Sequence, residues 1–203
     1  MTANSKVKVG GILLAAGASR RMGTPKQLLN FKGRSLIRRA AEALTGADCE
    51  PVVVVLGAEI EQSREQIADL SVTVVENPEW ATGMSLSIRA GLKKLLEIDS
   101  QLDAVMITLC DQPFVTAEKL RPFIKTFVRS RPDLIAAHYN DVAGVPALFS
   151  SKHFSDLLSL EGDKGAREII RNSPDAMTIP LPEAAIDVDR KSDLSRLNDR
   201  IHP

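Results

Sequence analysis

Val7-Lys8-Val9-Gly10-Gly11-Ile12-Leu13-Leu14-Ala15-Ala16-Gly17 is apolar on both alternating faces up to Leu14, apart from Lys8 and the glycine pair, and then gives way to small residues and glycine. Such a run reads as a first strand, Val7 to Ala15, buried on both sides and ending in a loop. Working outward, four more runs have the same character: Pro51 to Leu56, Val72 to Val75, Ala104 to Leu109 and Leu134 to Ala137. Between them, apolar residues recur with helical spacing over Ser35 to Leu44, Glu59 to Asp69, Ser85 to Leu96 and Ala117 to Ser130. Ser35, Ser85 and Thr116 stand near the starts of three of these as capping candidates.

Strands alternating with helices in this way predict a mostly parallel, twisted sheet covered by helices on both faces, a Rossmann-like three-layer α/β/α arrangement. In such a sheet, ligands bind beyond the carboxyl ends of the strands. Functional residues are therefore expected just after Leu14, Glu76 and Leu109. Beyond residue 138 a strand is expected at Gly144 to Phe149, helices near Lys152 to Leu160 and Lys164 to Arg171, and a strand at Met177 to Leu181. A short Ile186-Asp187-Val188-Asp189 segment and a helix over Ser192 to Ile201 close the chain.

The composition narrows the function classes. The 203 residues hold 26 Lys+Arg against 26 Asp+Glu, a formal net charge of zero, with 44% hydrophobic residues. That supplies a substantial core and excludes global disorder. A balanced charge argues against a protein devoted to a nucleic-acid backbone, and one tryptophan with one tyrosine offers no aromatic platform for single strands. Cys49 and Cys110 form neither a disulfide framework nor a CxxC site and are expected as reduced, mostly buried thiols. His138, His153 and His202 show no metal-ligand spacing.

Val9 to Ala18 has about half the length of a membrane span, so no transmembrane helix is expected. Lys6 and Lys8 ahead of this run, with Ala16-Gly17-Ala18 at its end, imitate a secretory signal. The glycine pair inside it and Arg20, Arg21 and Lys26 after it favour a cytoplasmic protein instead.

The stretch Leu14-Ala15-Ala16-Gly17-Ala18-Ser19-Arg20-Arg21-Met22-Gly23-Thr24-Pro25-Lys26-Gln27-Leu28-Leu29 carries the chemistry. Small residues straight after a strand let backbone N–H groups approach a phosphate or base, and Arg21 and Lys26 add cationic donors. The stretch is neither a Walker A loop nor GxGxxG, which withdraws support from kinase and dehydrogenase readings. Asp111, at the end of the fourth strand in an Asp-Gln-Pro turn, stands where a metal-binding carboxylate is needed.

This stretch resembles the signature of the nucleotidyltransferase superfamily, which includes molybdenum cofactor guanylyl- and cytidylyltransferases, sugar-phosphate nucleotidylyltransferases and methylerythritol-phosphate cytidylyltransferases. The Ala15-Ala16-Gly17 form with Ser19 is most similar to the molybdenum cofactor cytidylyltransferases. Further blocks resemble the family: Asn77-Pro78-Glu79-Trp80 with Gly83 to Leu92, Cys110-Asp111-Gln112-Pro113, Gly162-Asp163-Lys164-Gly165-Ala166-Arg167, and Asp187-Val188-Asp189 followed by Asp193-Leu194.

The resemblance implies a magnesium-dependent enzyme that moves CMP from CTP to the terminal phosphate of a molybdopterin-type acceptor. A molybdoenzyme that receives the product is the implied protein partner. Lys26, Arg21 and Asp111 are then the catalytic residues, Leu14, Ala15, Ala16, Gly17, Gly83 and Ser87 hold the nucleotide, and Asp111 with Asp189 holds the metal. Lys164 and Arg167 are candidates for the acceptor phosphate. The whole chain, 1–203, is expected as one domain, with 7–137 the nucleotide-binding half and 138–203 the acceptor-side half with its closing helix. Gly144-Val145-Pro146 stands where related sequences commonly read Gly-His-Pro, so any role of that histidine is absent or moved. A guanylyltransferase using GTP, a sugar-phosphate nucleotidylyltransferase and a nucleotide-binding chaperone for molybdoenzyme maturation remain the alternatives.

Overall fold

The computed structural model describes residues 6–17, 25–188 and 193. Its framework is a seven-stranded sheet built from β1 (Val9–Ala15), β4 (Val52–Leu56), β5 (Thr73–Glu76), β6 (Ala104–Leu109), β7 (Leu134–Tyr139), β8 (Val142–Ser150) and β9 (Met177–Pro180). A small hairpin, β2 (Asn30–Phe31) with β3 (Arg34–Ser35), stands apart. The order across the large sheet is β5-β4-β1-β6-β8-β7-β9. All neighbours pair in parallel except β8, which runs antiparallel to both β6 and β7. The expected strand at Gly144 to Phe149 is thus longer than anticipated and lies inside the sheet.

Each strand divides its side chains between two cores, as the pleat requires. Leu13, Val54, Met106 and Ile135 face α1 (Leu36–Gly46) and α4 (Ala117–Ser130), with Ile37, Leu44, Leu120 and Phe123 filling that side. Ile12, Val55, Ile107 and Phe149 face α3 (Met84–Ile98), α5 (Phe154–Leu158) and α6 (Ala166–Arg171), which contribute Ile88, Leu92, Leu157 and Ile169. The central strand owes its tight cover to the glycine pair. A Cβ on Gly10 would stand 3.0 Å from Leu95 Cδ1, and one on Gly11 3.2 Å from Leu44 Cδ2.

Three helices differ from the sequence expectation. α2 is confined to Ile60–Glu65, because the chain tightens after it into three-residue turns, Ile67 N–H to the Arg64 carbonyl and Leu70 N–H to that of Ile67. The stretch expected as a helix from Lys152 opens as a 3-10 turn over Ser151–His153 before α5. α6 begins only at Ala166, since Gly165 is still extended. Ser35 and Thr116 do occupy the N-caps of α1 and α4, but neither side chain caps its helix, and the N-cap of α3 is Gly83 rather than Ser85. Both cysteines are free and buried. No helix among the described residues is long and apolar enough to cross a membrane. Apart from Asp193, the expected closing helix lies outside the described residues.

Candidate active site

At the carboxyl ends of the parallel strands lies a cavity of about 410 Å³. Leu14, Ala15, Ala16 and Gly17 line it from the end of β1, Leu109, Cys110 and Asp111 from the end of β6, and Gly83, Met84 and Ser87 from the start of α3. Lys26, Trp80, Ala81 and Asp163 complete the wall. The expected catalytic, nucleotide-holding and metal residues within the described part therefore meet at one place: Lys26, Asp111, Leu14, Ala15, Ala16, Gly17, Gly83 and Ser87. Arg21 and Asp189 lie outside the described residues.

Lys26 opens a 3-10 turn, Lys26–Leu28, that returns the chain to the sheet edge. The turn is pinned by Gln27, which is fully buried and donates through Nε2 to the Ala58 carbonyl at 3.3 Å. Lys26 Nζ pairs with Asp111 Oδ2, and both side chains are largely withdrawn from solvent. The other carboxylate oxygen, Asp111 Oδ1, is buried without a hydrogen-bond partner. A buried carboxylate oxygen is normally satisfied, so an unfilled acceptor here suits a divalent cation or a donor brought by a ligand. No cluster of three or more potential metal-binding side chains occurs among the described residues.

The Asp111 turn is anchored from both sides. Gln112 Nε2 donates to the carbonyls of Val145 at 3.2 Å and Ala184 at 2.9 Å, while Val188 N–H donates to the Asp111 carbonyl at 2.9 Å. Burial pushes the Cys110 thiol up to about 12, so it sits in the wall as a neutral group and not as a nucleophile.

The opposite wall depends on Gly83, whose φ of 147° and ψ of 170° belong to a region that side chains other than glycine's hardly tolerate. Its backbone lies against the 161–165 loop: a Cβ there would stand 2.2 Å from the Gly162 carbonyl oxygen. Ser85 Oγ donates to that same oxygen at 2.6 Å, which is its role in place of the expected cap. The loop so held presents Asp163 to the cavity. Lys164, by contrast, pairs with Glu168 at 3.1 Å on the surface, and neither it nor Arg167 lines the cavity. Trp80 is both structural and site-lining, since its ring rests where a Cβ on Gly57 would be, at 2.5 Å.

Three contributors lie inside the family-like stretches without having been singled out there. Asp163, from the Gly162 to Arg167 block, borders the same cavity as Ser87. Gln27 follows Lys26 in the loop stretch, and Asn77, whose Nδ2 donates to Ser87 Oγ at 3.0 Å, opens the Asn77-Pro78-Glu79-Trp80 block; nothing in the local sequence tells their contacts apart from those of their neighbours.

Comparison with known proteins identifies the family and the fold. Residues 11–177 match the MobA-like NTP transferase domain. The chain is 30% identical over 176 residues to a nicotine blue oxidoreductase of Paenarthrobacter nicotinovorans, covering 82% of this chain and 83% of that protein. It is 22% identical over 191 residues to the molybdenum cofactor cytidylyltransferase of Escherichia coli K12, covering 93% and 95%. The crystal structure of Rv0371c from Mycobacterium tuberculosis superposes with a TM-score of 0.79 at 28% identity, covering 98% of this chain and 100% of that one. The same protein in complex with manganese gives 0.76 at 26% identity, covering 95% and 99%. The chain thus belongs to the MobA-like NTP transferase family and is a transferase enzyme, a nucleotidyltransferase of Rossmann-like α/β fold.

Proposed function

We propose that the protein transfers CMP from CTP to the terminal phosphate of a molybdopterin-type acceptor, releasing pyrophosphate. The observation that carries this reading is the pairing of Lys26 with Asp111 in a cavity also lined by the small residues Ala15, Ala16, Gly17 and Gly83. Two polyanions must be brought together there, so charge neutralisation and alignment are the main demands.

In this reading the acceptor phosphate oxygen attacks the α-phosphorus of CTP, the bond to the β-phosphate oxygen breaks, and pyrophosphate carries away the electron pair. Lys26, with Arg21, binds the transferring and leaving phosphate oxygens as their charge shifts. The backbone of Leu14 to Gly17 and of Gly83 admits the nucleotide closely, and Ser87 offers its hydroxyl to the base. Asp111 fits a magnesium ion through its unpartnered Oδ1, with Asp189 as second carboxylate by resemblance; such an ion would supply charge neutralisation for the triphosphate oxygens. The manganese complex of Rv0371c supports divalent-metal use. No covalent enzyme intermediate is required, in keeping with the neutral Cys110. The acceptor and a recipient molybdoenzyme follow from the resemblance and from the cytidylyltransferase relative. In this reading residues 7–137 serve the nucleotide and 138–203 the acceptor within one cytoplasmic domain.

The test is thermal stabilisation by CTP, GTP, ATP and UTP, with magnesium and with chelator. A nucleotide at a hundred times its Kd adds about 2.7 kcal/mol, or about 5–11 °C for a chain of this length. CTP with magnesium is expected to give that shift, and label in the α-phosphate of CTP to pass to a molybdopterin acceptor. Asp111→Asn should lower that transfer by about a thousandfold. A preference for GTP moves the protein to the guanylyl branch. Redox turnover and no binding of any triphosphate would align it with its oxidoreductase-named relative instead.

A further inference from the structure

Ser87 is buried at the start of α3, and its hydroxyl oxygen accepts a hydrogen bond from Asn77 Nδ2 at 3.0 Å. The direction of that bond is fixed by a third group. Asn77 Oδ1 accepts the backbone N–H of Glu79 at 3.1 Å, and a backbone N–H can only donate. The amide oxygen must therefore face Glu79 and the amide nitrogen must face Ser87. The backbone of Asn77 is itself held, its N–H donating to the Leu56 carbonyl at 2.7 Å. A serine hydroxyl has one proton and two lone pairs, and Asn77 occupies one of the lone pairs. The proton is left for whatever enters the cavity that Ser87 lines.

Topology says which part of a nucleotide that is. Asn77 follows β5 and is tied to the end of β4, whereas Asp111 follows β6. In the order β5-β4-β1-β6, the two sheet positions are three strand spacings apart, about 14 Å. With the phosphates at Lys26 and Asp111, the far end of the cavity receives the base.

We propose that Asn77 is a specificity-positioning residue, which polarises Ser87 so that its O–H meets a hydrogen-bond acceptor on the base. This rests on the reading of the cavity as a CTP site. Cytosine and uracil both present O2 as an acceptor, but at N3 cytosine has a lone pair where uracil carries a proton, so N3 is the position at which the Ser87 O–H tells them apart. An acceptor at that edge continues a chain of donors running from Glu79 N–H through Asn77 and Ser87, each bond strengthening the next. A donor at that edge would place two donors on Ser87 Oγ and leave the hydroxyl proton buried without an acceptor. Such an unsatisfied group weakens binding by about tenfold.

The experiment is Kd measurement by calorimetry for CTP, UTP, GTP and ATP with magnesium, on the wild type, Asn77→Asp, Ser87→Ala and the double variant. A carboxylate at position 77 still accepts from Glu79 N–H but now also accepts the Ser87 proton, turning Oγ lone pairs toward the base. The preference for CTP over UTP should fall by about tenfold in Asn77→Asp, fall similarly in Ser87→Ala, and fall no further in the double variant. Added negative charge alone would weaken all four nucleotides alike. Equal weakening of CTP and UTP, or the full Asn77→Asp effect persisting in the Ser87→Ala background, overturns the proposal. Should Asn77→Asp fail to fold, Ser87→Thr must keep the discrimination that Ser87→Ala loses, and the reverse overturns it. A wild-type preference for GTP overturns the cytidylyl reading alone, because non-additivity between positions 77 and 87 would still uphold the relay.

Discussion

A series of glycine-to-alanine changes separates the two ways in which this site depends on its backbone. At Gly83 both apply: φ is 147°, and the new Cβ would stand 2.2 Å from the Gly162 carbonyl oxygen, 2.5 Å from its carbon and 2.9 Å from Asp163 N. All three are backbone atoms, so no side-chain rotation relieves the clash. The loop must retreat, and with it goes the Ser85 Oγ bond to Gly162 at 2.6 Å. Backbone strain of about 1–3 kcal/mol and a lost hydrogen bond of about 1 kcal/mol give a destabilisation of about 2–4 kcal/mol. For a chain of this length that is a fall in Tm of about 4–16 °C. At Gly162, φ is 59° but nothing lies within 4 Å of the new Cβ, so conformation alone costs about 1 kcal/mol, or about 2–4 °C. At Gly17 nothing lies within 4 Å and φ is not in the left-handed range, so Tm should stay within about 2 °C. Scanning calorimetry of the three variants measures the order. A Gly83→Ala protein no less stable than Gly17→Ala, or a Gly162→Ala protein as damaged as Gly83→Ala, would refute the contact between the start of α3 and the 161–165 loop.

Two further outcomes follow from the core. Burial raises both thiols, Cys49 and Cys110, to about 12. Unfolded thiols ionise near their ordinary value of about 8.5, so the stabilising effect of keeping them neutral is complete below that pH and is lost as pH rises toward the folded value. The unfolding free energy from denaturant titration should fall between pH 9 and 10 by up to about 1.4 kcal/mol per thiol, lowering the midpoint, and Cys49→Ala should flatten the slope. A pH-independent midpoint there would contradict it. Phe123, wholly buried between α4 and the sheet, should cost about 3–5 kcal/mol on change to alanine, read from urea unfolding; a loss under about 1 kcal/mol would mean that α4 does not pack there.

The strands were legible because a strand covered on both faces cannot alternate polar and apolar residues. Val52 to Leu56 is apolar throughout and wholly buried. The position of the site followed from the same pattern, since strands that share a direction put their carboxyl ends on one edge. What escaped were effects of distant contacts. The turn structure that ends α2 at Glu65 involves Gln66 to Leu70, residues whose spacing still looks helical. Ser85 had the residue type and place of a cap, yet its hydroxyl is drawn to a carbonyl 77 residues away. The hairpin at Asn30–Phe31 and Arg34–Ser35 is too short to generate a period. Asp163 borders the cavity only because Gly83 allows its loop to come close, a relation that neither segment announces by itself.

The acceptor side shows why local motif reading weakens there. Val145 occupies the position where related sequences commonly have histidine, and its side chain packs against the core that α3, α5 and α6 share. Its carbonyl accepts from Gln112 Nε2 at 3.2 Å and from Tyr139 Oη at 3.2 Å. A backbone carbonyl makes those bonds whatever side chain it carries, so the tie between β8 and the Asp111 turn survives the substitution. Gly144 completes the fit, because a Cβ on it would stand 2.5 Å from the Tyr139 hydroxyl. The Gly-Val-Pro stretch thus keeps the framework of the site while giving up a titratable side chain. In the proposed reading, recognition of an acceptor phosphate falls to other groups, while the cavity walls at Leu14 to Gly17, Gly83, Lys26 and Asp111 do not involve that position.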